Sequence, residues 1–264
     1  MTIKNLYLSG GGAHGAFQAG AIYELYQCGK LENLQLVSGI SVGAINGLLT
    51  ASGYAEQLPD IWKGSGVGLI SYFNKITSPF RAMFRGHLLD PSPLLKMIRP
   101  YLETGPYINF QVGVTSLEDG QFYLLNSKTL DKTNLEKAVI ASASQPGIMP
   151  PVSHIQTTEL TNISLAADGG ILNPIYVPKE CPESLAIYSA PSSLSYFKGS
   201  GLLSILSRYQ DLQRYEIRKA DLPNTPLIQP GYLPYKQTDF SKEAIDKNIA
   251  LGRKYALEFL ELLE

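Results

Sequence analysis

Residues 6–20 read LYLSGGGAHGAFQAG, an apolar run, three consecutive glycines, then a segment whose apolar residues recur at helical spacing. This is a strand, a tight turn and a helix with almost no linker, and it constrains the fold more than any other stretch. Residues 3–9 supply the strand, and Phe17, Ala21, Ile22 and Leu25 mark one face of the helix. Gly29 is a suitable stop for that helix. The pattern then repeats. LQLVSG predicts a second strand, and Ala44, Ile45, Leu48 and Leu49 predict a second helix made largely of small residues. Consecutive strand–helix units at this spacing imply an α/β protein with a parallel, helix-covered sheet. With 264 residues, 44% of them hydrophobic, the chain is long enough to build one large core around such a sheet.

Further elements follow from pattern. FQVGVTSLEDGQFYLLN predicts a hairpin turning at Asp119–Gly120. NLEKAVIASAS predicts a helix, ISLAADGG a strand ending in a turn, and LAIYSA another strand. Residues 202–220 and 241–264 predict amphipathic helices. Residues 64–89 have no clean period. They combine Leu69, Ile70, Phe73, Phe80 and Phe84 with Lys75, Arg81 and Arg85, which suits either a lid over lipid or a folded part of the core. No repeat or linker divides the chain, so a single domain is expected.

Bulk properties exclude several classes. A net charge of −1 gives no electrostatic case for nucleic acid. Cys28 and Cys181 are too few for a disulfide framework, and both are expected as free, buried thiols in a reducing compartment. The N-terminus has neither a basic region nor a long apolar run, so no signal peptide is expected. No stretch is long enough to span a bilayer. These points favour a cytoplasmic protein, with at most transient contact at a membrane surface.

The glycines at 10, 12 and 15 satisfy GxGxxG, which in a dinucleotide fold cradles a pyrophosphate. That reading requires an acidic residue near the end of the next strand to hold the ribose. The next strand instead ends in VSGISVGAING. Its Gly39–Ile40–Ser41–Val42–Gly43 is a GxSxG pattern between a predicted strand and a predicted helix. There it would form a sharp turn that exposes the serine hydroxyl at a helix N-terminus. A serine nucleophile needs a base. His154 is the last histidine, and a long stretch of chain follows it, so the Ser–acid–His order of α/β-hydrolases fits poorly. Asp168 in AADGGILNP is the best carboxylate candidate, standing at a strand end before two glycines. An ordinary Asp–Gly turn would carry the same signature.

Taken in order, GGGAHG at 10–15, GISVG at 39–43 and DGG at 168–170 resemble the patatin-like phospholipase family. LLDPSPLLKMI, ASASQPGIMPPV and DGGILNPIYVP extend the resemblance along the chain. It implies a three-layer α/β/α fold with a mainly parallel central sheet. It also implies a lipid acyl hydrolase in which Ser41 is the nucleophile and Asp168 the proton acceptor. Gly10, Gly11 and Gly12 would supply the oxyanion hole, while Gly15, Gly39, Gly43, Gly169 and Gly170 support the motifs. Lipid or another acyl ester is the implied substrate, with no cofactor and no metal. The family often carries Arg or Lys where this chain has His14, so a fixed cation beside the hole is not expected. Two other readings stay open, a silent lipid-binding or regulatory protein on the same fold and a dinucleotide-binding oxidoreductase.

Overall fold

The computed structural model describes residues 1–64, 90–159, 161–193 and 225–263, together with Ile205, Arg208, Leu212 and Tyr215. Apart from Gly64, the proposed lid at 64–89 lies outside these residues, as does most of the helix expected at 202–220.

The strands are β1 (Asn5–Leu8), β2 (Leu36–Ile40), β3 (Asn109–Ser116), β4 (Phe122–Asn126), β5 (Val152–Gln156), β6 (Asn162–Asp168), β7 (Ser184–Ile187) and β8 (Leu227–Ile228). The helices are α1 (Gly15–Gln27), α2 (Val42–Ala51), α3 (Leu58–Gly64), α4 (Ser92–Thr104), α5 (Lys132–Ser142) and α6 (Lys242–Glu261). The eight strands form one sheet in the order β5-β6-β3-β2-β1-β7-β8, with β4 paired to β3. From β3 through β2, β1 and β7 to β8 every pairing is parallel. The hairpin partner β4 and the pair β5–β6 run antiparallel. The architecture is α/β, a mostly parallel sheet flanked by helices.

Side-chain alternation shows how the central strands are buried on both faces. Leu6 and Leu8 of β1, with Leu185 and Ile187 of β7, point into the main core. Tyr7 and Ala186, one residue out of phase, point to a second cluster with Ile175 and Tyr188. In the main core α2 packs on β2 and β3, and α5 packs on β3, β5 and β6. α1 and α6 lie against each other at backbone distance. A Cβ on Gly20 would collide with the Ile249 carbonyl, and one on Gly252 with that of Phe17. Across the same seam Arg253 donates to the Glu24 carboxylate at 2.7 Å.

The cysteine expectation needs correcting. Both thiols are free, but Cys28 is exposed and Cys181 is half-buried. Cys28 caps the C-terminus of α1, where the chain turns outward through Gly29 at φ 65°.

Candidate active site

The register of β3 explains how two residues far apart in sequence meet. Residues 109–113 of β3 pair with β2, and Val114–Ser116 pair with β6. The opposite edge of the same strand is occupied by β4, which pairs from Gln111 to Thr115. β2 and β6 therefore share one edge of β3, running toward each other and abutting where Ile40 faces Gly113 and Asp168 faces Val114. The residue leaving β2 is Ser41 and the last residue of β6 is Asp168. The Ser41 hydroxyl donates to Asp168 Oδ2 at 2.8 Å.

Both partners are held firmly. Ser41 has φ 56° and ψ −124°, a conformation that costs a non-glycine residue on the order of 1–3 kcal/mol unless its surroundings impose it. Here they do. Its N–H donates to Ser142 Oγ at 2.8 Å, and that hydroxyl donates to the Gly113 carbonyl at 2.6 Å. Gly39 and Gly43 allow the close approach this turn needs. A Cβ on Gly39 would collide with the Gly43 carbonyl, and one on Gly43 would press on the Ser9 and Leu8 carbonyls. Ser41 also caps the N-terminus of α2, whose aligned peptides favour negative charge there.

Asp168 is only 3% exposed. Its Oδ1 accepts from the Gly170 N–H at 2.7 Å, which leaves Oδ2 turned to the serine. Its own N–H donates to the Ser144 carbonyl at 3.0 Å. Gly169 passes so close to β3 that a Cβ would strike the Gly113 carbonyl. The stretch Ser142–Ser144 thus ties down both chemical partners, one by a side chain and the other by a carbonyl. Nothing in the sequence marks these serines apart from their place in ASASQPG.

The glycine turn lies alongside. A Cβ built on Gly10 would stand 3.2 Å from Ser41 Cβ. The three glycines are not equivalent. The Gly10 N–H donates to the Pro174 carbonyl at 2.9 Å, so it is not free to bind anything else. Among the described residues, the N–H groups of Gly11 and Gly12 have no acceptor. Gly12 needs to be glycine, having φ 56° and the Gln237 carbonyl where a Cβ would go. Gly15 opens α1 where a side chain would run into Val42 and Trp62.

The histidines lie elsewhere. His14 is buried and donates from Nε2 to the Tyr235 carbonyl at 2.8 Å. Burial pushes its imidazole below the usual histidine range, and the bond to Tyr235 opposes that shift only in part. It is therefore not a fixed cation. His154 is exposed on β5. Neither is hydrogen-bonded to Ser41, and His87 lies outside the described residues. Among those residues no three His, Cys, Asp or Glu side chains group as metal ligands. Ile171 and Leu172, which follow the Asp168 turn directly, are exposed apolar residues.

The sequence matches the patatin-like phospholipase family over residues 6–178, and the chain belongs to that family. Lipid acyl hydrolysis is the general activity that membership carries. No curated protein matches the sequence. Among solved structures, VipD from Legionella pneumophila overlays with a TM-score of 0.47 and 15% identity, over 97% of this chain and 67% of its own. Human GIVD cytosolic phospholipase A2, bound to methyl gamma-linolenyl fluorophosphonate, gives 0.43 and 12%, over 99% and 58%. ExoU of Pseudomonas aeruginosa, in complex with SpcU, gives 0.41 and 18%, over 98% and 51%. The chain thus spans about half to two thirds of these proteins. Among the described residues no helix is long and apolar enough to cross a membrane.

Proposed function

We propose that the chain hydrolyses carboxylic acyl esters of lipids through a Ser41–Asp168 dyad, with the Gly11 and Gly12 N–H groups as the oxyanion hole. The observation that carries this is the 2.8 Å hydrogen bond from Ser41 Oγ to Asp168 Oδ2 at the junction of two abutting strands. A carboxylate in that position is within reach to accept the proton as the hydroxyl attacks.

The reaction has two halves. Ser41 Oγ bonds to the ester carbonyl carbon while its proton passes to Asp168 Oδ2. The carbonyl oxygen becomes an oxyanion beside the Gly11 and Gly12 N–H groups, which have no acceptor among the described residues. Collapse breaks the bond to the alkoxy oxygen, which takes the proton from Asp168 and leaves as an alcohol or lysolipid. The acyl group remains on Ser41. Water then gives a proton to Asp168 and attacks the acyl carbon. A second oxyanion collapses, the proton returns to Ser41 Oγ, and the fatty acid departs. Preorganised N–H donors of this kind each contribute about 10²- to 10³-fold to the rate. Ile171 and Leu172 offer apolar surface beside the Asp168 turn, which suits an acyl chain.

The reading is tested by turnover of a panel of acyl esters, from p-nitrophenyl esters to phospholipid vesicles. Wild-type protein should release the acid, and Ser41→Ala should be inactive yet still unfold in one cooperative transition, because the hydroxyl is needed to make a bond, whatever stability Asp168 Oδ2 loses with its donor. Equal turnover by a folded Ser41→Ala protein would exclude the dyad. Lipid binding without turnover by the wild type would favour a silent lipid-binding protein.

A further inference from the structure

One of the two N–H groups in the oxyanion reading, that of Gly11, depends on the direction of a single peptide group, the one between Gly10 and Gly11. A trans peptide places its C=O and N–H on opposite sides, so fixing one direction fixes the other. Glycines on both sides remove the steric reasons for preferring either face. Something else must choose.

The Gly10 carbonyl accepts from the Ser189 hydroxyl at 2.6 Å and from the Ser9 hydroxyl at 2.9 Å. Two donors match the two lone pairs of a carbonyl oxygen. Both serines are completely buried. They are also held by others. Ser9 Oγ accepts from the Ser189 N–H at 2.8 Å. Gln18 Nε2 donates to the Ser9 carbonyl at 2.8 Å, and Gln18 Oε1 accepts from Asn46 Nδ2 at 3.1 Å. Asn46 Oδ1 in turn accepts from the Trp62 indole at 2.8 Å. A chain of buried polar groups therefore runs from α3 through α2 and α1 to the ends of β1 and β7. It terminates on the Gly10 carbonyl.

We propose that Ser189, assisted by Ser9, is a positioning residue that locks the Gly10–Gly11 peptide so that the Gly11 N–H faces the oxyanion. This rests on the dyad reading above. With the carbonyl drawn toward Ser189, the Gly11 N–H points the opposite way, and among the described residues it has no acceptor. The Ser9 and Ser189 hydroxyls are 3.1 Å apart and one can donate to the other, so a flipped peptide would leave at least one buried hydroxyl without an acceptor, and it would turn a carbonyl oxygen to where the oxyanion forms. Ser189 also crowds Gly11, where a Cβ would collide with Ser189 Oγ. Ser189 acts through the peptide and touches no substrate. Its effect therefore belongs to the charge that develops in the transition state, so kcat should change more than KM.

The test is steady-state hydrolysis of a p-nitrophenyl acyl ester by wild type, Ser41→Ala, Ser189→Ala and Ser189→Thr, with a melting curve for each. Ser189→Ala should lower kcat roughly ten- to a hundred-fold with KM within about twofold, because the ground-state carbonyl needs the hole little. Ser189→Thr keeps a hydroxyl and should retain most of the rate. If Ser189→Ala does not fold, the near-isosteric Ser189→Cys, a weaker donor, replaces it with the same expected split. In ¹⁵N-glycine-labelled protein, phosphonylation of Ser41 should move the Gly11 amide proton downfield in wild type and less in the variant. A folded Ser189→Ala or Ser189→Cys protein with wild-type kcat would overturn the lock. So would a loss confined to KM, or an unchanged Gly11 response. If wild type and Ser41→Ala are equally active, the dyad reading fails instead, which separates the two failures.

Discussion

At the scale of single residues, the motifs mark the two residues proposed to react but not their supports. Ser41 and Asp168 stand out through the ordered combination of GGGAHG, GISVG and DGG, since GxSxG or Asp–Gly–Gly alone would not mark them. Ser142 and Ser189 do not stand out, since a serine that bonds to a backbone group elsewhere in the fold leaves no local trace. The glycine turn shows the same limit. Sequence treats Gly10, Gly11 and Gly12 alike, yet the Pro174 carbonyl occupies the Gly10 N–H, and only the fold brings Pro174 there. The contacts also mean that Gly11→Ala and Gly12→Ala are poor probes of the hole. Each new methyl would collide, with Ser189 in one case and the Gln237 backbone in the other. His14 offers a cleaner prediction. Its folded-state pKa lies below the unfolded value of about 6.5. The unfolded chain therefore binds this proton first, and stability held above that pH is lost as pH falls, by at most about 1.4 kcal/mol per pH unit. His14→Gln keeps a donor for the Tyr235 carbonyl but does not titrate. Melting temperatures at pH 7.5 and 5.5 should fall further for wild type than for the variant. An equal fall in both would show that His14 carries none of the acid sensitivity.

At the scale of elements, strands and helices with strong periodicity were legible in outline. β1, β2, the β3–β4 hairpin, α1, α2, α5 and α6 lie where the apolar pattern puts them, with ends shifted by a few residues. β8 was not legible because two residues carry no period. β5 follows two prolines, and its polar Ser153 and His154 hide the alternation. The abutment of β2 and β6 on one edge of β3 was also invisible, because register depends on pairing between distant segments. The segment closing α5 is what holds that abutment together. Ser142 is fully buried and serves both the Ser41 N–H and the Gly113 carbonyl. Ser142→Ala takes the acceptor from the Ser41 N–H and a donor from the Gly113 carbonyl, and should cost on the order of 1–3 kcal/mol of stability. The strained Ser41 turn would also lose its anchor, so kcat should fall in the protein that remains folded. Chemical denaturation with parallel ester kinetics checks both. A change within about 0.5 kcal/mol, the range of a neutral surface substitution, with wild-type kcat would remove Ser142 from the account.

At the scale of the molecule, the site draws on nearly the whole described chain. The glycine turn follows the first strand, Ser41 the second, and Asp168 closes the sixth. The family match ends at residue 178, yet β7 beyond it completes the free edge of β1, and Ser189 reaches back to the Gly10 carbonyl. α6, last of all, lies backbone to backbone against the helix that the glycine turn starts. Among the described residues, a fold assembled this way brings a hydroxyl and a carboxylate together beside the glycine turn, with neither His14 nor His154 hydrogen-bonded to Ser41. The central claim is that the Ser41 hydroxyl is activated by Asp168, and covalent labelling tests it most directly. Wild-type protein and Asp168→Asn are exposed to a fluorophosphonate, the modified residue is mapped by mass spectrometry, and the labelling rate is followed. Asn keeps an oxygen for the Gly170 N–H but cannot accept the serine proton. The account predicts a single adduct on Ser41, formed at least about 10²-fold more slowly in the variant. An adduct on another residue, or labelling of Ser41 at the wild-type rate in folded Asp168→Asn protein, would contradict it.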